Sequence, residues 1–146
     1  MLIDLINETD LLVDTDLLEK IAEDLTQRQI ELIITDNEGI AALNAKHRNK
    51  NAPTDVLSFP MGDTMPHAPL GVIVISKEYV TEKASELGHS NQEELTLLFI
   101  HGLLHLIGFD HEKDEGQMRR KEKVIIDAWK LPESLIVRTE EEKKES

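Results

Sequence analysis

Apolar positions recur along this chain with two different periods, and each change of period marks a boundary. Residues 2–6 are a short apolar-rich run that predicts a first strand. Leu17, Leu18, Ile21, Ala22 and Leu25 then fall at helical spacing, with Asp14 or Asp16 as the N-cap. Residues 29–35 read as a second strand. A helix follows from Asp36 or Asn37, with Ile40, Leu43 and His47 along its apolar face and Asn44 and Arg48 on the adjacent one. Residues 49–53 form a loop. Residues 54–60 alternate like a half-buried strand, and residues 61–69, with Gly62, Pro66 and Pro69, are irregular. Residues 70–76 are apolar and β-branched, as in an inner strand. Tyr79, Val80, Lys83, Ala84 and Leu87 mark a third helix closed by Gly88.

Ser90 and Glu93 make a capping box that opens a fourth helix. That helix is apolar on nearly every side, from Leu95 to Ile107, so it belongs inside the protein. Asp114 caps a last helix that buries Met118, Ile125, Ala128 and Trp129 and ends near Pro132. The order β-α-β-α-β-β-α-α-α predicts an α+β fold, a mixed sheet packed with helices around the central apolar helix. Residues 1–137 make one domain. Residues 138–146 are charged, lack apolar side chains and predict a frayed tail.

Composition narrows the chemistry. There is no cysteine among the 146 residues, so thiolate metal sites and disulfides are excluded. The N-terminus lacks signal-peptide character and the most apolar run is too short and polar to span a bilayer, which predicts a cytoplasmic protein with no membrane partner. A net charge of −13 argues against nucleic acid on its face. The acid, however, concentrates in residues 4–38 and the last seven. Residues 44–50 hold three cations and no anion; residues 119–123 hold four cations and one anion. The second run reads as solvated helix surface.

Three of the six histidines lie within residues 101–111, His-Gly-Leu-Leu-His-Leu-Ile-Gly-Phe-Asp-His. His101 and His105, four apart on a helix, share one face. Gly108 lets the chain turn, and His111 follows three residues later. On a buried helix, imidazoles must find hydrogen bonds or a metal. Three converging imidazoles make a zinc site with an open fourth position; nickel is the other cation they favour. The alternatives are core histidines satisfied by backbone carbonyls, or a structural zinc closed by Asp110, Glu112 or Asp114. Asp110 reads more readily as a carboxylate that orients a histidine or caps the turn. The spacing equals the metal frame of metzincin peptidases, except that Gly102 stands where those enzymes carry a glutamate base. Glycine inside a helix costs about 1 kcal/mol relative to alanine, so something approaches the backbone there, either substrate or a packed strand.

The histidine motif resembles the defining motif of the bacterial YbeY family of rRNA maturation factors. A second stretch agrees: Leu43-Asn44 with Arg48, then Thr-Asp-Val-Leu-Ser-Phe-Pro at 54–60. The resemblance spans residues 30–130. One departure is Val72, where the family usually has aspartate. The resemblance implies a mixed four-stranded sheet with about five helices. It also implies a metal-dependent endoribonuclease specific for single strands, which acts in 16S rRNA 3′-end maturation and ribosome quality control. Its partners would be RNA and the ribosome or ribosomal proteins, not DNA. By the same resemblance His101, His105 and His111 bind zinc, His101 and Arg48 serve catalysis, and Arg48 lies in the substrate cleft.

The residues agree with that chemistry. Zinc on imidazoles lowers the pKa of water toward ~7 and supplies a nucleophile at neutral pH, and a guanidinium suits the charge developing on phosphate oxygens. No strong general base is evident, so the zinc-activated water, a base elsewhere in the fold and the RNA 2′-hydroxyl all stay open. Competing readings are a metallopeptidase, a non-catalytic assembly factor with a structural zinc, and a small-molecule hydrolase.

Overall fold

The protein is described by a computed structural model covering residues 2–49, 52–61, 68–110 and 113–131, with the Arg48 side chain outside the description. The order matches the periodicity: β1 (Ile3–Asn7), α1 (Thr15–Glu23), β2 (Ile30–Thr35), α2 (Asn37–Arg48), β3 (Val56–Pro60), β4 (Gly71–Ser76), α3 (Lys77–Leu87), α4 (Asn91–Leu106) and α5 (Gln117–Trp129). The fold is α+β. The four strands lie in the order β1-β2-β4-β3. β1 and β4 run parallel to β2, and β3 runs antiparallel to β4 along one edge, with Ser58 opposite Ile73 and Phe59 opposite Val72. The predicted tail and the loop at 62–67 lie outside the described residues.

Strand alternation sorts the core into two layers. Ile30, Leu32, Ile34, Ile73 and Ile75 point to one face and pack with Leu18 and Ala22 of α1 and Leu95, Leu98, Phe99, Leu103 and Leu106 of α4. The positions between them, Ile33, Val72 and Val74, point to the other face, where Ile40 and Leu43 of α2 meet Leu57 and Phe59. A third cluster, Ile21, Ile100, Leu104, Met118 and Ile125, joins α1 and α5 to the outer side of α4. α4 is thus sandwiched between the sheet and α5, which is why it is apolar all round. None of the described helices is long and apolar enough to cross a membrane.

The predicted caps form. The Asp14 and Asp36 side chains accept from Leu17 N and Gly39 N. Gly88 closes α3 with φ of 76°. Asp114 satisfies the start of α5 from two residues before its cap, accepting from Gly116 N at 2.8 Å and Met118 N at 3.0 Å. Three expectations are corrected. Ala128 is exposed and Trp129 only half-buried; the inward positions of α5 are Met118, Glu122, Ile125 and Ile126, because the helix meets α4 along that stripe. His47 is exposed, although its ring lies 4.8 Å from that of Phe59. Residues 119–123 are not all solvated surface, since Glu122 is 1% exposed.

Candidate metal centre

α4 is held rigidly at its first turn. Glu93 N donates to the Ser90 hydroxyl at 3.0 Å and Ser90 N donates to the Glu93 carboxylate at 2.9 Å. His89, a residue with no predicted role, meets the buried Glu94 carboxylate at 2.8 Å. Gln92 accepts from Asp14 N at 2.8 Å and ties the helix to α1. This fixed cylinder carries His101 and His105 between the stripe facing the sheet and the stripe facing α5.

The two rings stand edge to face, with centroids 4.8 Å apart and planes at 76°. Their Nε2 atoms are 3.2 Å apart. For metal–nitrogen bonds of 2.0–2.1 Å, the edge of a tetrahedron is about 3.3 Å. The pair therefore fits two vertices of a tetrahedral cation site, with His101 buried and His105 half-buried. After α4, Gly108 takes φ of 108°, a value that side chains oppose, and Gly108 N donates to His105 O at 3.1 Å. The chain thereby turns back beside the helix: Phe109 joins the α5 cluster, and Asp110 O accepts from Lys113 N and Asp114 N at 3.1 and 3.0 Å. His111, the third predicted ligand, lies outside the described residues. Among those described, no three His, Asp or Glu side chains are grouped to hold a metal.

One group at this centre was missed by sequence reasoning. Glu122 of α5 places Oε2 2.8 Å from His101 Nδ1. Its Oε1 is buried without a hydrogen-bond partner among the described residues. This carboxylate on His101 comes from 21 residues away along the chain. The one available signal was an acid on the Met118–Ile125 stripe, hidden by four flanking cations.

Gly102 is explained by packing. A Cβ there would lie 3.0 Å from Ile73 Cγ2 and 3.0 Å from Ser58 Oγ, and the Ser58 hydroxyl donates to Gly102 O at 3.2 Å. The position that holds the base in metzincin peptidases faces strands β3 and β4, with no room for a glutamate.

The second motif is built around the same edge strand. Asn44, 5% exposed, donates from Nδ2 to Ala52 O at 2.8 Å, which fastens the chain leaving α2. Asp55 accepts from Val56 N at 2.8 Å and so starts β3. Arg48 is the last residue of α2, followed by Asn49 in the left-handed region at φ 59°. α2 lies across the sheet from α4, yet both helices end toward the same end of the sheet. The His47 ring meets that of Phe59 at a tilt of 50°, and Leu106 abuts Gly71, the partner of Pro60.

The family description "Endoribonuclease YbeY" matches residues 6–130. A protein of Sulfurovum sp. named endoribonuclease YbeY is 56% identical over 144 residues, covering 95% of this chain and 98% of that one. One from Aliarcobacter butzleri with the same name is 56% identical over 138 residues, 94% and 99% of the two chains. A Campylobacter jejuni protein so named is 50% identical over 127 residues, 87% and 94% of the two. Among solved structures, the solution structure of TM1509 from Thermotoga maritima superposes with a TM-score of 0.57 at 27% identity, covering 88% of this chain and 91% of that one.

Proposed function

The chain belongs to the endoribonuclease YbeY family, and from that membership we propose that it is a zinc-dependent endoribonuclease specific for single-stranded RNA, working in the cytoplasm on 16S rRNA 3′-end maturation and ribosome quality control. The observation that carries the metal part is the convergence of His101 and His105 Nε2 atoms at 3.2 Å on a buried, doubly packed helix. His101, His105 and His111 would hold the ion, with nickel an alternative to zinc. When bound, the ion supplies a Lewis acid that activates water and neutralises phosphate charge. The ribosomal assignment rests on the two motifs shared with the family.

The chain's own residues supply the rest. Arg48 ends α2 at the end of the sheet toward which α4 carries His105. An RNA strand crossing the β3 edge would pass His105, and by the family resemblance the Arg48 guanidinium would bind non-bridging oxygens through its planar fork. α5 answers the objection from net charge. Arg119, Arg120 and Lys123 are exposed and Lys121 half-buried, while the single acid among them, Glu122, is turned inward against His101. The outer face of this part of α5 is therefore cationic. Lys123 also pairs with Asp127 at 3.5 Å, an exposed ion pair of little strength.

The peptidase reading loses its base and the space for one at Gly102. The test of the nuclease reading uses two variants. His105→Ala is expected to lose zinc retention and RNA cleavage together; Arg48→Glu is expected to keep zinc and lose cleavage. Full cleavage by metal-free His105→Ala protein overturns the proposal.

A further inference from the structure

We propose that Glu122 is a positioning residue for the metal centre: it holds His101 in the tautomer that points a lone pair toward His105. The inference rests on the metal reading of the two histidines. A neutral imidazole carries one N–H and one lone pair. The Glu122 carboxylate accepts, so the nitrogen facing it at 2.8 Å, Nδ1, carries the hydrogen. Nε2 then keeps its lone pair, and this is the atom 3.2 Å from His105 Nε2. A hydrogen bond on the far side of the ring thus decides what the near side offers a cation.

The surroundings favour this role over packing. The neighbours of Glu122 on the inward stripe are Met118 and Ile125, both buried and apolar. An apolar residue would fill the same place without desolvating a carboxylate, whose burial is unfavourable unless compensated. The compensation here is incomplete, because Oε1 has no hydrogen-bond partner among the described residues. A cation on the opposite nitrogen of His101, one ring away, would complete it. Sequence spacing could not reveal this pairing, since α5 reaches α4 only through the fold.

The experiment compares the full chain with Glu122→Met and Glu122→Gln, reading zinc affinity by chelator competition and the imidazole tautomer by nitrogen NMR of the metal-free protein. In the wild type, His101 is expected to be protonated at Nδ1. Glu122→Met, which keeps volume and removes the acceptor, is expected to weaken zinc about 10–100-fold. Glu122→Gln, whose amide oxygen can still accept, is expected to weaken it less. Unchanged zinc affinity in both variants, or a wild-type His101 protonated at Nε2, overturns the proposal. If Glu122→Met fails to fold, Glu122→Gln and the wild-type tautomer decide. If the wild type binds no zinc, the nuclease reading fails instead, and the tautomer still tests Glu122.

Discussion

Gly102→Ala is the substitution on which helix propensity and tertiary packing disagree in sign. Gly102 lies inside the 16-residue helix α4, and propensity alone favours alanine there by about 1 kcal/mol. The added methyl, however, would sit 3.0 Å from Ile73 Cγ2 and 3.0 Å from Ser58 Oγ, closer than ordinary carbon packing distances. Ile73 is fully buried on the central strand β4 and cannot withdraw, so α4 must lift from the sheet. Overpacking of this kind costs about 1–3 kcal/mol. Lifting the helix also stretches the Ser58 hydroxyl bond to Gly102 O, now 3.2 Å, for about 1 kcal/mol more. The net expectation is destabilisation by about 1–3 kcal/mol. Urea unfolding followed by circular dichroism measures it as a fall in midpoint with an unchanged slope. Gly102→Glu should be worse and should bring no peptidase activity, because the carboxylate would enter the helix–sheet interface. A variant Gly102→Ala more stable than the wild type would refute the packing account and leave the glycine to be explained by an approaching substrate.

Two further expectations concern the ends of α4 and α5. Glu93 is held below its ordinary carboxyl value of 4.5 chiefly by the Ser90 backbone N–H it accepts. A depressed folded-state value means that the capping box stabilises above pH 4.5 and that this contribution is lost as pH falls through the folded value. The stability advantage of the wild type over Glu93→Gln should therefore shrink on acidification below pH 4.5 in pH-dependent denaturation; an advantage that grew would contradict it. Ser90→Ala should cost about 1 kcal/mol at neutral pH by the same assay. On α5, Arg120→Glu with Lys123→Glu should leave zinc content unchanged and weaken single-stranded RNA binding. The slope of log affinity against log salt should fall by about 0.7 for each phosphate no longer neutralised, and an unchanged slope would exclude this face from the RNA path.

The elements and their order were legible along the chain because their signals are local. A helix closes its hydrogen bonds within a turn, so Ser90, Glu93 and Gly88 announce its ends before anything packs on them. The four-residue interval between His101 and His105 is likewise a property of one helix, and it brings their Nε2 atoms together wherever that helix lies. Tertiary structure decided what depends on elements meeting. The placement of β4 between β2 and β3 follows from burial on both faces, and it sets Ser58 under Gly102, which resolves why that residue is glycine. The inward turn of Glu122, amid Arg119, Arg120, Lys121 and Lys123, is decided by which stripe of α5 faces α4. A carboxylate in a cationic run reads as surface until the neighbouring helix supplies the imidazole that makes its burial tolerable.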